Sequence, residues 1–569
     1  MKRFFSLALS VVLGASFLTA CGSKETQVST DPKTINVRVY KAGFGDAWAY
    51  ELKSKFEALY QEEGYKMNIT PPSIDNNGSP MIQEMYQGYE KTGIDLYIIG
   101  SLFPNSVVDG EYGTVVEDLT ELVYDQKAIN YDGTESEKTI KNKVNQDTLQ
   151  FMYANDGTLP VMAWAQTSAG VVVNTKKLNA YGITELPKTT NEWFEIIDKI
   201  YMGSNGVDNS LKSRTYPLTY AILGSGSYSE CAIRSWFAQY DIDAYNEFMR
   251  FQKQNGDSWT DMTDEECYAQ FDNENLKEVL TTYYRIMDPT IAADGSASQD
   301  LDQAQGLIMK DMKAGNNAIF MFNGDWFLNE VKLTYKRALN DITFMNVPVI
   351  SALGVKLFGN GTVYNKSEED CDKILSYMCG LVDENKDKTE IKTLTDAKFG
   401  IDLQQADVDK VCDARGVCFS RGVEHSACIT KDSAKKDIAA LALRMLASDD
   451  FAATFQREAN ATTPYVNMAE VNSEYKFCND AMKLVLNKYS RSIVGRCYGK
   501  REKITGFAGI FFPGMSALTK DICLANISMY NADYNKGTVE NTHDLSVYEQ
   551  AGNGLWETIK SKAKALPVK

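Results

Sequence analysis

Hydrophobic and polar residues alternate near the start of the chain, in the segment INVRVY (35–40), which predicts a half-buried β-strand. A helix should follow, because apolar residues recur at helical spacing over 52–59, and Asp46 is well placed to cap its first turn. The next strand, DLYIIG (95–100), is almost continuously apolar, which is typical of a parallel sheet covered on both faces. This order of elements predicts an α/β unit.

Two apolar runs flank a short segment of small and polar residues in LPVMAWAQTSAGVVVNTKKL (159–178), and a helix is predicted soon after them. Thr189 and Glu192 have the spacing of a capping box at the start of that helix. Trp193 lies on its apolar face, which favours a core position over a ligand contact. Residues 202–315 have mainly helical patterns.

Strand patterns return in AIFMFNGDW (318–326) and ITFMNVPVI (342–350). From 354 to 430 the chain is charged, contains cysteines and is predicted to be rich in loops, as an elaboration of a simpler fold would be. Helical periodicity resumes in KDIAALALRMLASDDFAATF (436–455). The α/β signals therefore occur in two separated regions, with helices between and after them.

The first twenty residues have the order of a secretory signal peptide: two cations, an apolar run and small residues at the cleavage point. A membrane-spanning helix is the alternative, but the run is at the short limit for a span. Residues 22–33 are small and polar, which is typical of a flexible tether. Removal of residues 1–20 changes the net charge from −17 to −19, because two cations and no acids are lost. Such an acidic surface disfavours nucleic acid and anionic lipid as partners.

The composition, 44% apolar in a chain of 569 residues, predicts two to four ordinary globular domains. Ten cysteines follow Cys21, and both free thiols and disulfides are compatible with an exported chain of this size. The segment NADYNKG (531–537) has its glycine one place late for an EF-hand and is predicted to be a turn. No metal or other cofactor is expected, since the one cluster of suitable residues fits no zinc spacing: Cys412, Cys418, His425 and Cys428.

The order of these segments resembles the family 1 extracellular solute-binding proteins, the sugar-capturing lipoproteins of ABC importers. Leu-Thr-Ala-Cys, ending at Cys21, resembles a lipobox, which implies a lipidated (palmitate-bearing) N-terminus held on the outer side of the cell membrane. The most specific segments are VNTK before LPKTTNEW, and GDW after AIFMFN. The resemblance covers nearly all of the mature chain and rests on INVRVYKAGFGDAW, DLYIIG, LPVMAWAQTSAGVVVNTKKL, LPKTTNEWFEII, KAGNNAIFMFNGDW and RMLASDDFAATFQREANATTPYV.

The resemblance implies an α/β fold of the two-lobed, periplasmic-binding-protein-like type II, in which discontinuous lobes are joined by a hinge. Pro464 and Tyr465 are expected near a crossing between the lobes. The predicted organisation is a signal peptide at 1–20, a lipidated cysteine and tether at 21–33, lobe 1 at 34–160 plus 345–463 with an elaboration at 354–430, and lobe 2 at 161–344 plus 464–569.

Ligands of open α/β sheets bind outside the carboxyl ends of the strands, so the loops that follow strands are expected to line a cleft between the lobes. Sugars present C–H faces that stack on aromatic rings, and hydroxyls that need directed hydrogen-bond partners. Trp326 and Asp325 meet both needs directly after a buried strand. The same reasoning predicts six more ligand-binding residues: Trp164, Gln166, Trp48, Asp46, Ser101 and Trp236. Each tryptophan could instead be core packing, and Asp46 could serve only as a helix cap.

The resemblance implies capture of a carbohydrate, expected to be an oligosaccharide, and its delivery to the membrane subunits of an ABC permease. Such a protein is a monomer without catalytic activity, and ligand binding shifts its lobes toward a closed arrangement. Alternatives are a binding protein for a peptide or another solute, and a surface glycan adhesin. A glycoside hydrolase would need two carboxylates across the scissile bond, and no pair stands out among 76 acidic residues.

Overall fold

The structure is a computed structural model that describes residues 28–70, 79–100, 102, 104–108, 113–201, 215–221, 228–255, 258–293, 296, 300–419, 425–465, 473–493 and 545–564. Its strands, in chain order, are β1 (Thr34–Val39), β2 (Lys66–Thr70), β3 (Leu96–Gly100), β4 (Lys127–Ile129), β5 (Glu135–Thr139), β6 (Met162–Ala163), β7 (Ala169–Asn174), β8 (Thr215–Thr219), β9 (Gln252–Asn255), β10 (Ser258–Asp261), β11 (Asn317–Gly324), β12 (Ile342–Met345), β13 (Val417–Phe419), β14 (His425–Ile429) and β15 (Arg491–Ile493).

The α-helices of the first half are Ala47–Leu59, Ser79–Met85, Tyr89–Thr92, Pro104–Val108, Ile140–Lys143, Gln146–Leu149, Thr175–Ala180, Thr190–Tyr201, Glu230–Tyr240, Ile242–Arg250, Asp264–Ala269 and Asn275–Ile286. Those of the second half are Leu301–Met309, Phe327–Val331, Ser351–Phe358, Glu368–Asp383, Lys388–Phe399, Gln405–Gly416, Lys436–Leu446, Asp449–Ala459, Lys476–Leu486 and Leu545–Lys564. Among the helices that the structure describes, none has the length and apolar character needed to cross a membrane.

Lobe 1 is built on a five-stranded sheet with the order β2-β1-β3-β14-β6. β1, β2 and β3 are parallel, and β14 joins them antiparallel to β3. Every residue of β3 is buried, as its continuous apolar sequence predicted. The predicted strand–helix–strand unit at the start of the chain is thereby confirmed, and its helix, Ala47–Leu59, packs its apolar face into the core of this lobe.

Lobe 2 is built on a second sheet with the order β15-β13-β7-β11-β8, and β12 also pairs with β7. Helices cover both faces, because Val171 and Val173 of β7 belong to one core cluster while Val172 belongs to another. Trp193 is fully buried against Phe320 and Phe322, which confirms the predicted core position of that ring.

The chain passes between the lobes at three places: from Ala165 to Ala169, from Phe419 to His425, and after Tyr465. The first passage, from Ala165 to Ala169, is hydrogen-bonded to the residues just before the third passage. The Gln166 N–H donates to the Thr462 carbonyl oxygen at 2.8 Å, and the Thr462 hydroxyl donates to the Gln166 carbonyl oxygen at 3.2 Å. Pro464 also lies here, since its carbonyl oxygen accepts a bond from the Asn145 N–H at 2.8 Å.

Two sequence-based boundaries need correction. Residues 345–419 belong to lobe 2 rather than lobe 1, because β12 and β13 pair with β7 and the helices between them pack in the same core. The chain returns to lobe 1 only at His425, where β14 pairs with β3. Residues 161–165, predicted at the start of lobe 2, are buried in lobe 1.

The elaboration at 354–430 is largely helical, so the prediction of a loop-rich segment was wrong. Three helices, Glu368–Asp383, Lys388–Phe399 and Gln405–Gly416, occupy most of it. Their exposed faces are crowded with charged residues, which concealed an apolar face of normal helical spacing. That face packs onto lobe 2, and the elaboration therefore enlarges one lobe rather than linking the two.

Candidate functional site

The loop after β11 contacts lobe 1 through Trp326, which is 7% exposed. A Cβ at Gly43, in the loop after β1, would lie 2.8 Å from the Cβ of Trp326, so only glycine fits at this contact. The ring of Trp326 also lies across the end of its own strand, since a Cβ at Gly324 would meet it at 2.2 Å. Tyr228 packs beside it, with ring centroids 5.2 Å apart. Trp326 therefore sits where the carboxyl ends of β1 and β11 meet.

A second contact between the lobes lies one helical turn further along the chain. The side-chain amide of Asn329 donates to the carbonyl oxygen of Ala459 at 2.6 Å, and Asn460 donates back to the Asn329 side-chain oxygen at 3.2 Å. Asn329 belongs to lobe 2, and helix Asp449–Ala459 belongs to lobe 1. The lobes are thus in direct contact beside the strand ends.

Asp325 is tied to the first passage between the lobes. Its N–H donates to the Ser168 carbonyl oxygen at 3.0 Å, and its Oδ2 accepts from the Ser168 N–H at 3.1 Å. Its Oδ1 is buried and has no hydrogen-bond partner among the described residues. Burial raises the pKa of Asp325 to about 8, although the backbone N–H groups of Ser168 and Trp326 oppose the shift. The carboxyl is therefore mainly protonated at neutral pH.

Three further polar atoms near the passages share this lack of a partner within the described part of the chain: Thr167 Oγ1, Asn323 Nδ2 and Thr463 Oγ1. Thr167 and Thr463 directly follow Gln166 and Thr462, whose backbones pair between the passages. Asn323 pairs with Gly170 near the end of β11. Buried polar groups normally have partners, and these four atoms offer a hydrogen-bonding capacity that the described residues leave unused. We define the strand-end site as Thr167, Asn323, Asp325, Trp326 and Thr463.

A buried thiol borders this site, from a residue that the sequence placed only in a cluster without zinc spacing. Cys418 Sγ lies 2.9 Å from the Ser168 hydroxyl, and burial raises the pKa of Cys418 to about 11. All eight cysteines in the described ranges are free and buried. Thr167, Asn323 and Thr463 were missed by the sequence reasoning. The only signal for them was the polar segment between the two apolar runs of 159–178 and the Asn-Gly pair after the buried strand.

Three predicted ligand platforms are core residues instead. Trp48 and Trp164 are stacked on each other, with ring centroids 4.9 Å apart, and Trp236 is buried in lobe 2. All three are 0% exposed, and each indole N–H donates to a backbone carbonyl oxygen, at 2.9–3.0 Å. Because neither the faces nor the N–H groups are available, these rings do not form the site.

Two predicted polar residues have structural roles. Gln166 is 4% exposed, and its backbone pairs the first passage with Thr462. Asp46 occupies the N-cap position of its helix without a capping hydrogen bond, because its carboxylate pairs with Lys41 at 2.7 Å. Ser101 and Cys21 lie outside the described residues. Within those residues, no group of three or more histidine, cysteine or acidic side chains is placed to hold a metal ion.

No family model and no curated protein sequence matches the chain. Its fold is similar to that of RafE from Streptococcus pneumoniae in the apo form, with a TM-score of 0.51 and 12% sequence identity over 93% of this chain and 98% of that one. RafE in complex with raffinose gives the same TM-score over 99% of its chain. A Streptomyces coelicolor protein described as a secreted solute-binding lipoprotein gives 0.52 at 10% identity, over 93% of this chain and 100% of that one. The chain therefore has the two-lobed fold of extracellular solute-binding proteins.

Proposed function

We propose that this protein is a substrate-binding lipoprotein of an ABC importer, which captures an oligosaccharide between its lobes outside the cell and delivers it to the permease. The observation that carries the proposal is the strand-end site: an aromatic ring and four unpaired buried polar atoms at the junction of two lobes. Sugars need this combination of an apolar face and directed hydrogen bonds. The solved complex of RafE with raffinose, which shares the fold, supports the same ligand class.

The proposed mechanism is a shift of population, with no chemical step. The four polar atoms are buried while the lobes touch, so a ligand would reach them when the lobes separate. Renewed closure would then place Trp326 against the ligand and against lobe 1 together. Contacts made only with both lobes stabilise the closed arrangement. No catalytic activity belongs to this proposal.

The experiment that tests the proposal is a thermal-shift screen of the chain from Lys24 onward against mono- and oligosaccharides. A ligand that binds only the folded state at a hundredfold excess over its Kd adds about 2.7 kcal/mol of stability. A shift with an oligosaccharide, lost in Trp326→Ala, is the expected result. Shifts with peptides but with no sugar would refute the carbohydrate assignment while leaving the fold intact.

Gly43→Ala tests closure separately from direct ligand contact. A methyl group there would lie 2.8 Å from the Cβ of Trp326, so the lobes could not meet as they do now. We expect weaker sugar binding, while the core of each lobe stays intact because the clash lies between the lobes. Gly554→Ala is the matched control, since its Cβ would meet no atom within 4 Å. Equal affinity in both variants would contradict the closure mechanism.

The anchor on Cys21 is part of the same proposal and rests on the lipobox-like segment. Fractionation of cells that express the full chain tests it. The wild-type protein should sediment with membranes, whereas Cys21→Ser should either be released or keep its uncleaved signal peptide, which its lower gel mobility would reveal. Equal membrane association of both proteins after cleavage of the signal peptide from both would refute the lipid anchor.

A further inference from the structure

A second space between the lobes lies apart from the strand-end site. Its volume is about 1150 Å³, and its lining comes from residues 141–157 of lobe 1 and from residues 243–261 and Arg491 of lobe 2. In the lobe 2 sheet, β11, which leads to Trp326, lies on one side of β7, and β15, which begins at Arg491, lies on the other. None of the five strand-end residues lines this space, which we call the side cavity.

Side chains from both lobes frame the side cavity. The Arg491 guanidinium lies 3.3 Å from an oxygen of Asp147 in lobe 1 and 3.4 Å from an oxygen of Asp243 in lobe 2. The guanidinium carbon of Arg250, from lobe 2, lies 5.5 Å from the ring centroid of Phe151, in lobe 1. The side cavity is therefore a defined space between two walls, and its volume slightly exceeds the usual range of about 300–1,000 Å³ for ligand pockets.

One wall carries an unused hydrogen-bond acceptor beside an aromatic ring. Asn246 lines the side cavity and is 3% exposed, and its Oδ1 has no partner within the described residues. Trp259, on the β9–β10 hairpin, is partly exposed, and the Arg250 guanidinium lies 4.0 Å from its ring centroid, which holds the indole in place. Tyr153 offers a second partly exposed ring from lobe 1.

The charges of the lining indicate a neutral ligand. Three cationic and three acidic side chains contribute, so neither sign dominates: Lys141, Arg250 and Arg491, against Asp147, Asp243 and Asp261. The remaining polar lining is mostly side-chain amides, which both donate and accept hydrogen bonds. A ligand rich in hydroxyls, with an apolar face for the indole, matches this surface better than an ion or a hydrocarbon does.

We propose that the side cavity is a second carbohydrate-binding site, in which a neutral sugar ring stacks against Trp259 and donates a hydroxyl hydrogen bond to Asn246. This site is independent of the strand-end site. A chain with two sites could hold one oligosaccharide for transport and a second sugar between the walls of the side cavity.

The test follows the indole N–H signals of the tryptophans by NMR while maltotriose, cellotriose and raffinose are titrated singly into the chain from Lys24 onward. At least one sugar should shift the Trp259 signal, assigned by its absence in Trp259→Ala. Calorimetry should show that Trp259→Ala weakens this binding by about tenfold. Asn142→Trp, which narrows the side cavity from an exposed position on lobe 1, should have the same effect without altering the hairpin.

Tyr50→Ala is the control, because Tyr50 is a 50% exposed aromatic residue outside both sites. The inference is overturned if none of the three sugars moves the Trp259 signal. It is also overturned if every binding event survives both Trp259→Ala and Asn142→Trp. Absence of Trp326-dependent binding, with Trp259-dependent binding intact, would instead refute the strand-end site as the place of capture and leave the side cavity as a sugar site.

Discussion

Asp325 should make the stability of this protein depend on pH in a direction opposite to that of most carboxylates. An ordinary aspartate has a pKa of about 3.9 when the chain is unfolded. Burial raises the pKa of Asp325 to about 8 in the folded protein. Between these values the folded state binds a proton that the unfolded state does not. The contribution of this group to stability is therefore fully present below the unfolded pKa and is lost as the pH rises through the folded pKa.

The magnitude follows from the single proton involved. One proton bound only by the folded state changes the free energy of unfolding by about 1.4 kcal/mol per pH unit. Between about pH 5 and about pH 7, wild-type stability should fall by roughly 3 kcal/mol more than that of Asp325→Asn. The asparagine keeps an oxygen to accept the Ser168 N–H and carries no titratable group. Other titrating groups are common to both proteins and cancel in the difference.

The assay is urea unfolding at several pH values, followed by tryptophan fluorescence, on the chain from Lys24 onward. If the lobes unfold separately, the transition shifted by Asp325→Asn is the one to compare. Glu265→Gln removes an exposed carboxylate from lobe 2 and serves as the control. Parallel pH profiles for wild type and Asp325→Asn would show that this carboxyl is ionised in the folded state, and would refute a protonated Asp325 in the strand-end site.

Two further predictions concern stability. In the C-terminal helix, a Cβ at Gly552 would lie 2.8 Å from the backbone nitrogen of Thr281, so Gly552→Ala should cost about 1–3 kcal/mol in thermal unfolding. Gly554→Ala, in open space on the same helix, should be neutral or slightly stabilising, and equal effects at both positions would contradict this packing. In lobe 1, Lys435 pairs with the fully buried Asp95 at 2.9 Å. Lys435→Met should cost about 3–5 kcal/mol in urea unfolding, and a loss below 1 kcal/mol would show that the pair is solvated.

Local patterns predicted most strands and helices well, because the conformation of these segments depends mainly on residues close to them in the sequence. The strand at 95–100 is apolar at almost every position and is buried on both faces. Long-range organisation was less accessible: the predicted return to lobe 1 at residue 345 lies about 80 residues before the observed return at His425. The strand at 417–419 is only three residues long, and its membership of lobe 2 depends on pairing with residues that are distant in the sequence.

The site was harder to predict than the fold because the same residue types serve cores and ligands. Trp164 and Trp326 both follow buried segments, and only their partners distinguish them. The Trp164 N–H donates to the carbonyl oxygen of Ile99 within one lobe, whereas Trp326 faces a glycine of the other lobe. Such partners depend on how two sheets meet, and no local pattern records that arrangement. The unpaired atoms of Thr167 and Thr463 were inaccessible for the same reason.

The net charge of the protein and the groups at the strand-end site favour different ligands. The net charge of −17 favours cations as partners, yet the strand-end site contributes little negative charge near neutral pH. Its one carboxyl, Asp325, is held mainly in the protonated form by burial, and the polar groups around it are hydroxyls and an amide. To pair with a cation, Asp325 would have to lose the proton that burial favours. A neutral sugar can bind to the same donors and acceptors without any change in their charge. The neutral ligand of the proposed function therefore follows from the groups at the strand-end site and not from the net charge of the protein.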